Sequence, residues 1–361
     1  MKTKIAIVIT GLSFGGAERV TSYLANFFSE KGKEVYLISL TKGEHAYPVS
    51  PDVTIIELDE SSSLNSVHRY AALICGVRKQ IKSIKPDVVL GMMSFSGIIA
   101  ALGCLGSKIP VILSERNDPN TSTAFSEREK KFIRFVYRHY IKNAVFQTEE
   151  ARSYYFKDKE SMGVIIPNPL YLDEMPEPDR KGSASRQIVS VGRLNNQKNY
   201  ALLIESFVKV FSWNSSYSLT IYGEGEERAA LEDLIKQHGL SGHVFLPGIE
   251  KDIFSKLQLA EMFVMSSNFE GMPNALIEAM AMGLPVISTD YSGGRGTLIN
   301  NGKNGLLVPR MDANALAEAM IYFIEHPESS QSMGDEAVKI RKQLDSTIIC
   351  DSWLRVIEKV V

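Results

Sequence analysis

The stretch Ser266-Ser267-Asn268-Phe269-Glu270-Gly271-Met272-Pro273-Asn274-Ala275-Leu276-Ile277-Glu278-Ala279-Met280-Ala281-Met282-Gly283-Leu284-Pro285-Val286-Ile287-Ser288 decides the fold. The apolar run Met262 to Met265 just before it reads as a buried strand. Pro273 stands where a helix can begin, because proline at the first helical position gives up no hydrogen bond the helix would use. The helix runs to Met282, and Gly283-Leu284-Pro285 stops it. Pro285 to Ser288 is the next apolar strand. Strand, loop, helix and strand in this order build a parallel sheet, where ligands bind beyond the carboxyl ends of the strands.

Two carboxylates frame the stretch, Glu270 in the loop and Glu278 on the helix. Between them the backbone N–H groups of Asn274, Ala275 and Leu276 form a helix N-terminus, which attracts phosphate. The alternative is a surface loop and an ordinary helix with two solvated acids. Gly271 and Pro273 restrict the loop, and Leu276, Ile277 and Met280 give the helix an apolar face, which favours a site.

Working outward, the same unit recurs on both sides. Ile188 to Val191 reads as a strand, followed by the loop Gly192-Arg193-Leu194-Asn195-Asn196-Gln197-Lys198-Asn199 and a helix from Tyr200. Arg193 and Lys198 are two cations at a strand's carboxyl end, able to neutralise a diphosphate; either alone is as well explained by solvation. Leu219 to Tyr222 is another strand, ending in Gly223-Glu224-Gly225. In the first half, Lys4 to Thr10 is a strand, and Gly11-Leu12-Ser13-Phe14-Gly15-Gly16 opens a helix. The dinucleotide fingerprint G-x-G-x-x-G is absent there, and the turn is read equally as a tight strand–helix connection. Val111 to Leu113 leads to Ser114-Glu115-Arg116-Asn117-Asp118-Pro119, a polar cluster at the same end of the sheet. Arg116 stays protonated and is no general base, but suits a phosphate or a sugar hydroxyl; loop hydrogen bonding is the other account of Arg116 and Asn117.

With 361 residues, 44% of them apolar and 23% charged, the chain reads as two globular domains. Residues 171–185, rich in Pro and acids and then Gly and Ser, read as a linker. Residues 1–170 carry 22 Lys and Arg against 17 Asp and Glu, whereas 171–361 carry 18 against 25. The net charge of −2 gives no case for nucleic acid, and the basic first half suits an anionic partner. Val67 to Lys85 and Ser126 to Lys142 are its two basic segments, and the second interleaves aromatics with its cations. Such a helix suits an anionic membrane surface, or else simply covers the sheet with one face and solvates the other. Cys75, Cys104 and Cys350 form neither a metal spacing nor a disulfide framework, so a reducing, cytoplasmic setting is expected. No apolar run approaches the length of a membrane span.

Phe269-Glu270-Gly271-Met272-Pro273 through Glu278 to Val286 resembles the Glu-x7-Glu signature of retaining glycosyltransferases of family 4. The resemblance extends across the chain, strongest over 188–309. It implies an α/β GT-B fold: two Rossmann-like, doubly wound domains facing across a cleft, spanning 1–170 and 186–345, with the terminal helix (346–361) returning to the first. By the resemblance, Glu270 lies near the donor sugar, Glu278 binds the ribose, Arg193 and Lys198 hold the diphosphate, and Gly223 and Glu224 lie near the base. Gly15 and Gly16 approach the diphosphate and the acceptor. Two departures stand out: Arg116 where family members often have His, and Thr297-Leu298 where an acid often follows the turn Ser292-Gly293-Gly294-Arg295-Gly296.

The resemblance therefore implies transfer of a hexose or N-acetylhexosamine from a nucleotide-sugar, with UDP the expected nucleotide. No metal or other cofactor is expected. A polyprenyl-diphosphate-linked glycan acceptor would account for both basic segments and for a peripheral position on the cytoplasmic face of the inner membrane. A sugar-nucleotide 2-epimerase and a catalytically silent nucleotide-sugar-binding subunit are the other readings.

Overall fold

The computed structural model describes residues 2–13, 15–58, 66–116, 126–141, 143–156, 162–179, 185–291 and 298–361. They fall into two compact units, one formed by Met1–Pro169 with Ser346–Val361, the other by Leu170–Asp345.

The first unit runs β1 (Lys4–Ile9), α1 (Gly16–Glu30), β2 (Glu34–Ser39), β3 (Thr54–Glu57), α2 (Ser66–Ile84), β4 (Val88–Met92), α3 (Ser94–Gly103), β5 (Val111–Glu115), α4 (Glu127–Tyr140), β6 (Asn143–Phe146), α5 (Glu149–Phe156) and β7 (Val164–Ile165). Ile5 to Ile9 are fully buried, as in a parallel strand covered on both faces. The strand order is β3-β2-β1-β4-β5-β6-β7, all parallel, so the order reverses between β1 and β4. One core cluster, including Val8, Ile38, Leu73, Val77 and Ile99, lies under α2 and α3. A second, including Leu113, Ile133, Val136, Tyr137 and Phe146, lies under α4 and α5.

The helix α4 is started by a capping box. Ser126 accepts from the Glu129 N–H while Glu129 accepts from the Ser126 N–H at 2.8 Å. Its hydrogen bonds hold the Glu129 carboxyl below the usual range. Ser126→Ala should cost about 1 kcal/mol; a melting point lowered by a few degrees checks it.

The second unit runs β8 (Gln187–Val191), α6 (Tyr200–Trp213), β9 (Ser218–Tyr222), α7 (Arg228–Gln237), β10 (Val244–Gly248), α8 (Ile253–Leu259), β11 (Met262–Met265), α9 (Asn274–Ala281), β12 (Val286–Thr289), β13 (Leu306–Val308), α10 (Ala313–Glu325), α11 (Pro327–Ala337) and α12 (Ile340–Gln343). Its strand order is β10-β9-β8-β11-β12-β13, and the order reverses between β8 and β11. The chain enters this unit at Leu170, whose N–H donates to Leu344 O at 2.7 Å. The start of the expected linker is packed rather than loose: Tyr171 and Met175 are buried around a 3-10 turn, Leu172–Glu174.

The last helix, α13 (Ser346–Glu358), belongs to the first unit. Tyr23 donates to Ser346 Oγ at 3.0 Å, and Lys33 pairs with Glu358 at 3.8 Å, so α13 is tied to α1 and to the turn that follows it. Trp353 and Cys350 are completely buried. It begins at Ser346, and Ile349, Cys350, Trp353, Val356 and Ile357 form its buried face.

Candidate active site

Two loops of the second unit build the site: 192–199 between β8 and α6, and 266–273 between β11 and α9. They leave neighbouring strands at the reversal of strand order, the place where an open parallel sheet leaves a crevice. Hydrogen bonds lock them together. The Asn268 N–H donates to Gln197 O and its side-chain amide to Asn196 O, both at 2.8 Å. The Ser266 hydroxyl donates to Lys198 O at 2.9 Å. Asn199 sits at φ 50, a left-handed conformation Asn tolerates. There it caps α6 and donates to Asn268 Oδ1 at 3.0 Å.

On this frame Glu270 takes three donors. Lys198 Nζ lies 2.6 Å and Ser267 Oγ 2.7 Å from Oε1, and Gln197 Nε2 lies 3.2 Å from Oε2. The side chains of Lys198 and Glu270 are only 17% and 7% exposed, so this is an enclosed, charge-assisted cluster. Lys198 fits because residue 192 is glycine: a Cβ there would lie 2.9 Å from Lys198 Cε and 2.7 Å from the Tyr200 hydroxyl. Burial, and secondarily the charge of Glu270, pushes the Tyr200 phenol up, so it stays neutral beneath the cluster.

The other predicted residues group around it. The helix α9 starts at Asn274 behind Pro273, and no side chain caps it. Leu276, Ile277 and Met280 are buried and hold the helix against the sheet, while Asn274, Ala275 and Glu278 are half-buried. Arg193 is exposed and makes no ion pair among the described residues. Gly223 has φ +148, and its N–H donates to Gly248 O at 2.8 Å. The Leu194 N–H donates to Glu224 O at 2.9 Å, which joins the 223–225 turn to the Arg193 loop. The Glu224 carboxylate is held by Arg228 Nε at 2.8 Å, which keeps its carboxyl below the usual range. Among the described residues no group of three or more His, Cys, Asp or Glu is placed to hold a metal ion.

In the first unit, Gly15 and Gly16 lie at the start of α1. A Cβ on Gly15 would fall 2.0 Å from Glu18 Oε2, so the Glu18 carboxylate packs over the turn. Arg116 is 5% exposed. It donates to Ile166 O at 3.3 Å, and its guanidinium lies 5.7 Å from the centre of the Trp353 ring. Asn117 and the Ser292–Gly296 turn lie outside the described residues.

Sequence reasoning gave no role to Gln197 and Ser267, which complete the shell of Glu270, nor to Glu115. Glu115 is 2% exposed and accepts from the Tyr155 hydroxyl at 2.8 Å, from the Ser94 hydroxyl, and from the Arg116 N–H at 3.1 Å. Burial first, and then the charge of Glu115, pushes the Tyr155 phenol far up. An acid closing the buried strand Val111–Glu115 was the available signal.

Comparison with known proteins follows this division of the chain. Residues 14–160 match the family model described as Glycosyltransferase Family 4, and residues 173–340 match that described as Glycosyl transferases group 1. One curated relative from Campylobacter jejuni is 25% identical over 361 residues, covering 99% of both chains. It is named GalNAc-alpha-(1->4)-GalNAc-alpha-(1->3)-diNAcBac-PP-undecaprenol alpha-1,4-N-acetyl-D-galactosaminyltransferase. A second from the same organism is 27% identical, covering 98% of both chains. It is named N-acetylgalactosamine-N,N'-diacetylbacillosaminyl-diphospho-undecaprenol 4-alpha-N-acetylgalactosaminyltransferase. Among solved structures, Anabaena Alr3699/HepE in complex with UDP and glucose matches with a TM-score of 0.83 at 15% identity. That match covers 99% of this chain and 100% of the other, a likeness of fold.

Proposed function

This chain belongs to the glycosyltransferases described by those two family models and has their two-domain GT-B fold; from that premise we propose that it is a retaining enzyme moving a hexose or N-acetylhexosamine from a UDP-sugar to a lipid-linked glycan. The observation that carries this reading is the Lys198–Glu270 pair, held by Ser267 and Gln197 beside the uncapped start of α9. A diphosphate arriving there meets Lys198, the exposed Arg193 and the first-turn N–H groups of α9. Donors of this kind suit the oxygen on which charge grows as the glycosidic bond breaks. We assign this charge compensation to Arg193 and Lys198, so the reading needs no resident metal.

The proposed reaction is a front-face substitution. The bond from the anomeric carbon to the diphosphate oxygen breaks, the acceptor oxygen bonds to the same face, and the acceptor's proton passes to the departing phosphate oxygen. Glu270 is tied by three donors, which suits an electrostatic contact with the positively charged sugar better than a nucleophile. Glu278, about one turn into α9, takes the ribose, and Gly223-Glu224 the base. Acceptor contacts fall to the first unit through Gly15, Gly16, Arg116 and Asn117. The two Campylobacter relatives, named for undecaprenol-linked acceptors, support a polyprenyl-diphosphate carrier. The Anabaena complex with UDP and glucose supports the donor. Among the described residues no helix is long and apolar enough to cross a membrane; work on such an acceptor then places the enzyme peripherally, at the cytoplasmic face.

The test is thermal melting with UDP-, GDP-, ADP- and CMP-linked ligands. A ligand at about 100 times its Kd stabilises by about 2.7 kcal/mol, which raises the melting point by about 5–10 °C. We expect this shift for UDP species alone. No shift with UDP species sinks the donor assignment. With a donor and acceptor in hand, NMR of the new anomeric centre reads retention directly.

A further inference from the structure

The connection between β2 and β3 carries polar groups that the proposed chemistry does not use. Residues 40–53 join two neighbouring parallel strands without a helix. Parallel neighbours are usually joined through a helix, and a connection this long with no secondary structure of its own is usually a binding loop or a linker. A linker is excluded, because the loop is fixed at several points. The Thr41 hydroxyl donates to Thr10 O at 2.8 Å, where Gly11 leaves it room, and the Ala46 N–H donates to Leu12 O at 2.9 Å. Asn26 of α1 donates to Pro48 O at 3.1 Å and accepts from the Ser50 N–H at 2.8 Å. The first two anchors hold the loop on the turn that leads from β1 to Gly15 and Gly16.

The tip of the loop, Lys42 to His45, is exposed. Glu57 closes β3 opposite Ser39 of β2, so it stands at the carboxyl end of the sheet, where ligands bind. Its Oε1 lies 3.2 Å from His45 Nε2 and accepts from the Gly43 N–H at 3.4 Å. Among the described residues, Glu57 Oε2 and His45 Nδ1 make no hydrogen bond. The two side chains are 30% and 36% exposed. A pair this exposed contributes little to stability, and the loop already has the anchors above, so the pair is not what holds the loop in place. Its free atoms restrict what it can bind. A carboxylate oxygen takes only a donor, whereas the neighbouring imidazole nitrogen takes a donor when neutral and an acceptor when protonated. Phosphate fails the first requirement. Two neighbouring hydroxyls of a sugar meet both, because each can donate and accept.

We propose that His45 and Glu57 form a sugar-binding subsite for the acceptor glycan, in which one hydroxyl of a vicinal pair donates to Glu57 Oε2 and its neighbour bonds to His45 Nδ1. The subsite deepens the glycan-acceptor reading and rests on it. It lies in the unit to which the acceptor contacts were assigned, on a loop bonded to the segment that carries Gly15 and Gly16.

The chain has 6 histidines, so carbon-13 labelling at histidine Cε1 gives a readable NMR spectrum of the full chain, in which His45→Gln assigns the signal. The probes are the methyl glycosides of glucose, galactose, N-acetylglucosamine and N-acetylgalactosamine, with putrescine and inorganic phosphate as the cationic and anionic alternatives. The His45 signal should move saturably with at least one glycoside, with saturating UDP present as well as without it, and should not move with phosphate. Glu57→Gln should weaken that binding by about tenfold or more, while its melting point and its shift with UDP stay those of the wild type. Glu34→Gln is the control: it removes an exposed carboxylate, paired with Lys4, at the opposite end of β2, and should leave glycoside binding unchanged. The proposal is overturned if no glycoside moves the His45 signal, if putrescine moves it and the glycosides do not, or if Glu57→Gln binds glycoside as the wild type does. It is also overturned if His45→Gln or Glu57→Gln lowers the melting point by more than a few degrees, since the pair would then be a clip of the loop. A melting shift with UDP beside an unmoved His45 signal sinks the subsite and leaves the donor assignment standing, and the reverse result sinks the donor assignment alone.

Discussion

Lys198→Ala should cut turnover by about 10²–10³-fold and should also lower the melting point. Under the proposed reaction, the first effect follows from removing a cation that compensates the charge of the leaving group. The second follows from what remains: Glu270, 7% exposed, would keep Ser267 and Gln197 but lose its counter-charge. Breaking an enclosed ion pair from one side costs about 3–5 kcal/mol, and the two surviving donors place this case at the lower end. A loss of about 3 kcal/mol corresponds to about 6–12 °C in a unit of this size. Adding Glu270→Gln to Lys198→Ala should recover much of the melting point and none of the turnover, because the amide needs no counter-charge. Calorimetry on the single and double variants, with donor turnover measured alongside, checks both halves. Wild-type turnover in Lys198→Ala would remove the site from this place in the fold.

Gly223→Ala should be far more disruptive than Gly242→Ala, a methyl group added at another positive-φ glycine of the second unit. Residue 223 has φ +148, and a Cβ there would lie 1.9 Å from the Gly192 carbonyl oxygen. That neighbour is backbone, fixed in turn by the Gly192 N–H donating to Tyr222 O at 2.9 Å, so no rotamer relieves the clash. Either β8 and β9 separate at their ends or the turn rebuilds, and both displace Glu224, Leu194 and Arg193. We expect a loss above about 4 kcal/mol, a fall of about 8–16 °C, and no melting shift with nucleotides. Gly242→Ala is the control, with φ +85 but nothing within 4 Å of the added methyl; it should cost only about 1–2 kcal/mol. Hydrogen exchange should show 187–191 and 218–222 deprotected in the first variant and unchanged in the second. Equal behaviour of the two would mean that conformation, not the close approach, governs Gly223.

The units of the sheet were legible because each declares itself locally. An apolar run, a polar turn and a helix with one apolar face recur, and the Pro273 start and Gly283 stop of α9 are written in single residues. Glu270, Arg193 and Lys198 stood out because each lies in a loop at a strand's carboxyl end, and Glu278 because it lies on the helix that follows one of those loops. Their meeting was not legible. Glu270 touches Lys198 across 72 residues of sequence because β11 pairs with β8, and no local pattern states that pairing. Gln197 and Ser267 lay in quoted loops, but a polar residue in a loop is common, and only the adjacency makes them donors to one carboxylate. The strand β3 and the helix α5 drew no reading, because four residues at a sheet edge and an eight-residue helix carry little periodic signal. The burial of Arg116 was hidden too, because its covering ring, Trp353, lies 237 positions further on.

That last distance bears on how the protein is made. Ribosomes release a chain from its N-terminus, and domains fold as they emerge. The first unit includes Ser346–Val361, so it lacks α13 until those residues have been made, whereas the second unit, Leu170–Asp345, has all its residues earlier. The half that begins first is therefore completed after the other, and until then Arg116 waits without Trp353 and Tyr23 without Ser346. A stop codon just before Ser346 would spare every residue of the second unit yet leave the first without α13. The released chain ending at Asp345 should resist protease in the later-made half and be nicked in the earlier one, a reversal of the usual order of maturation.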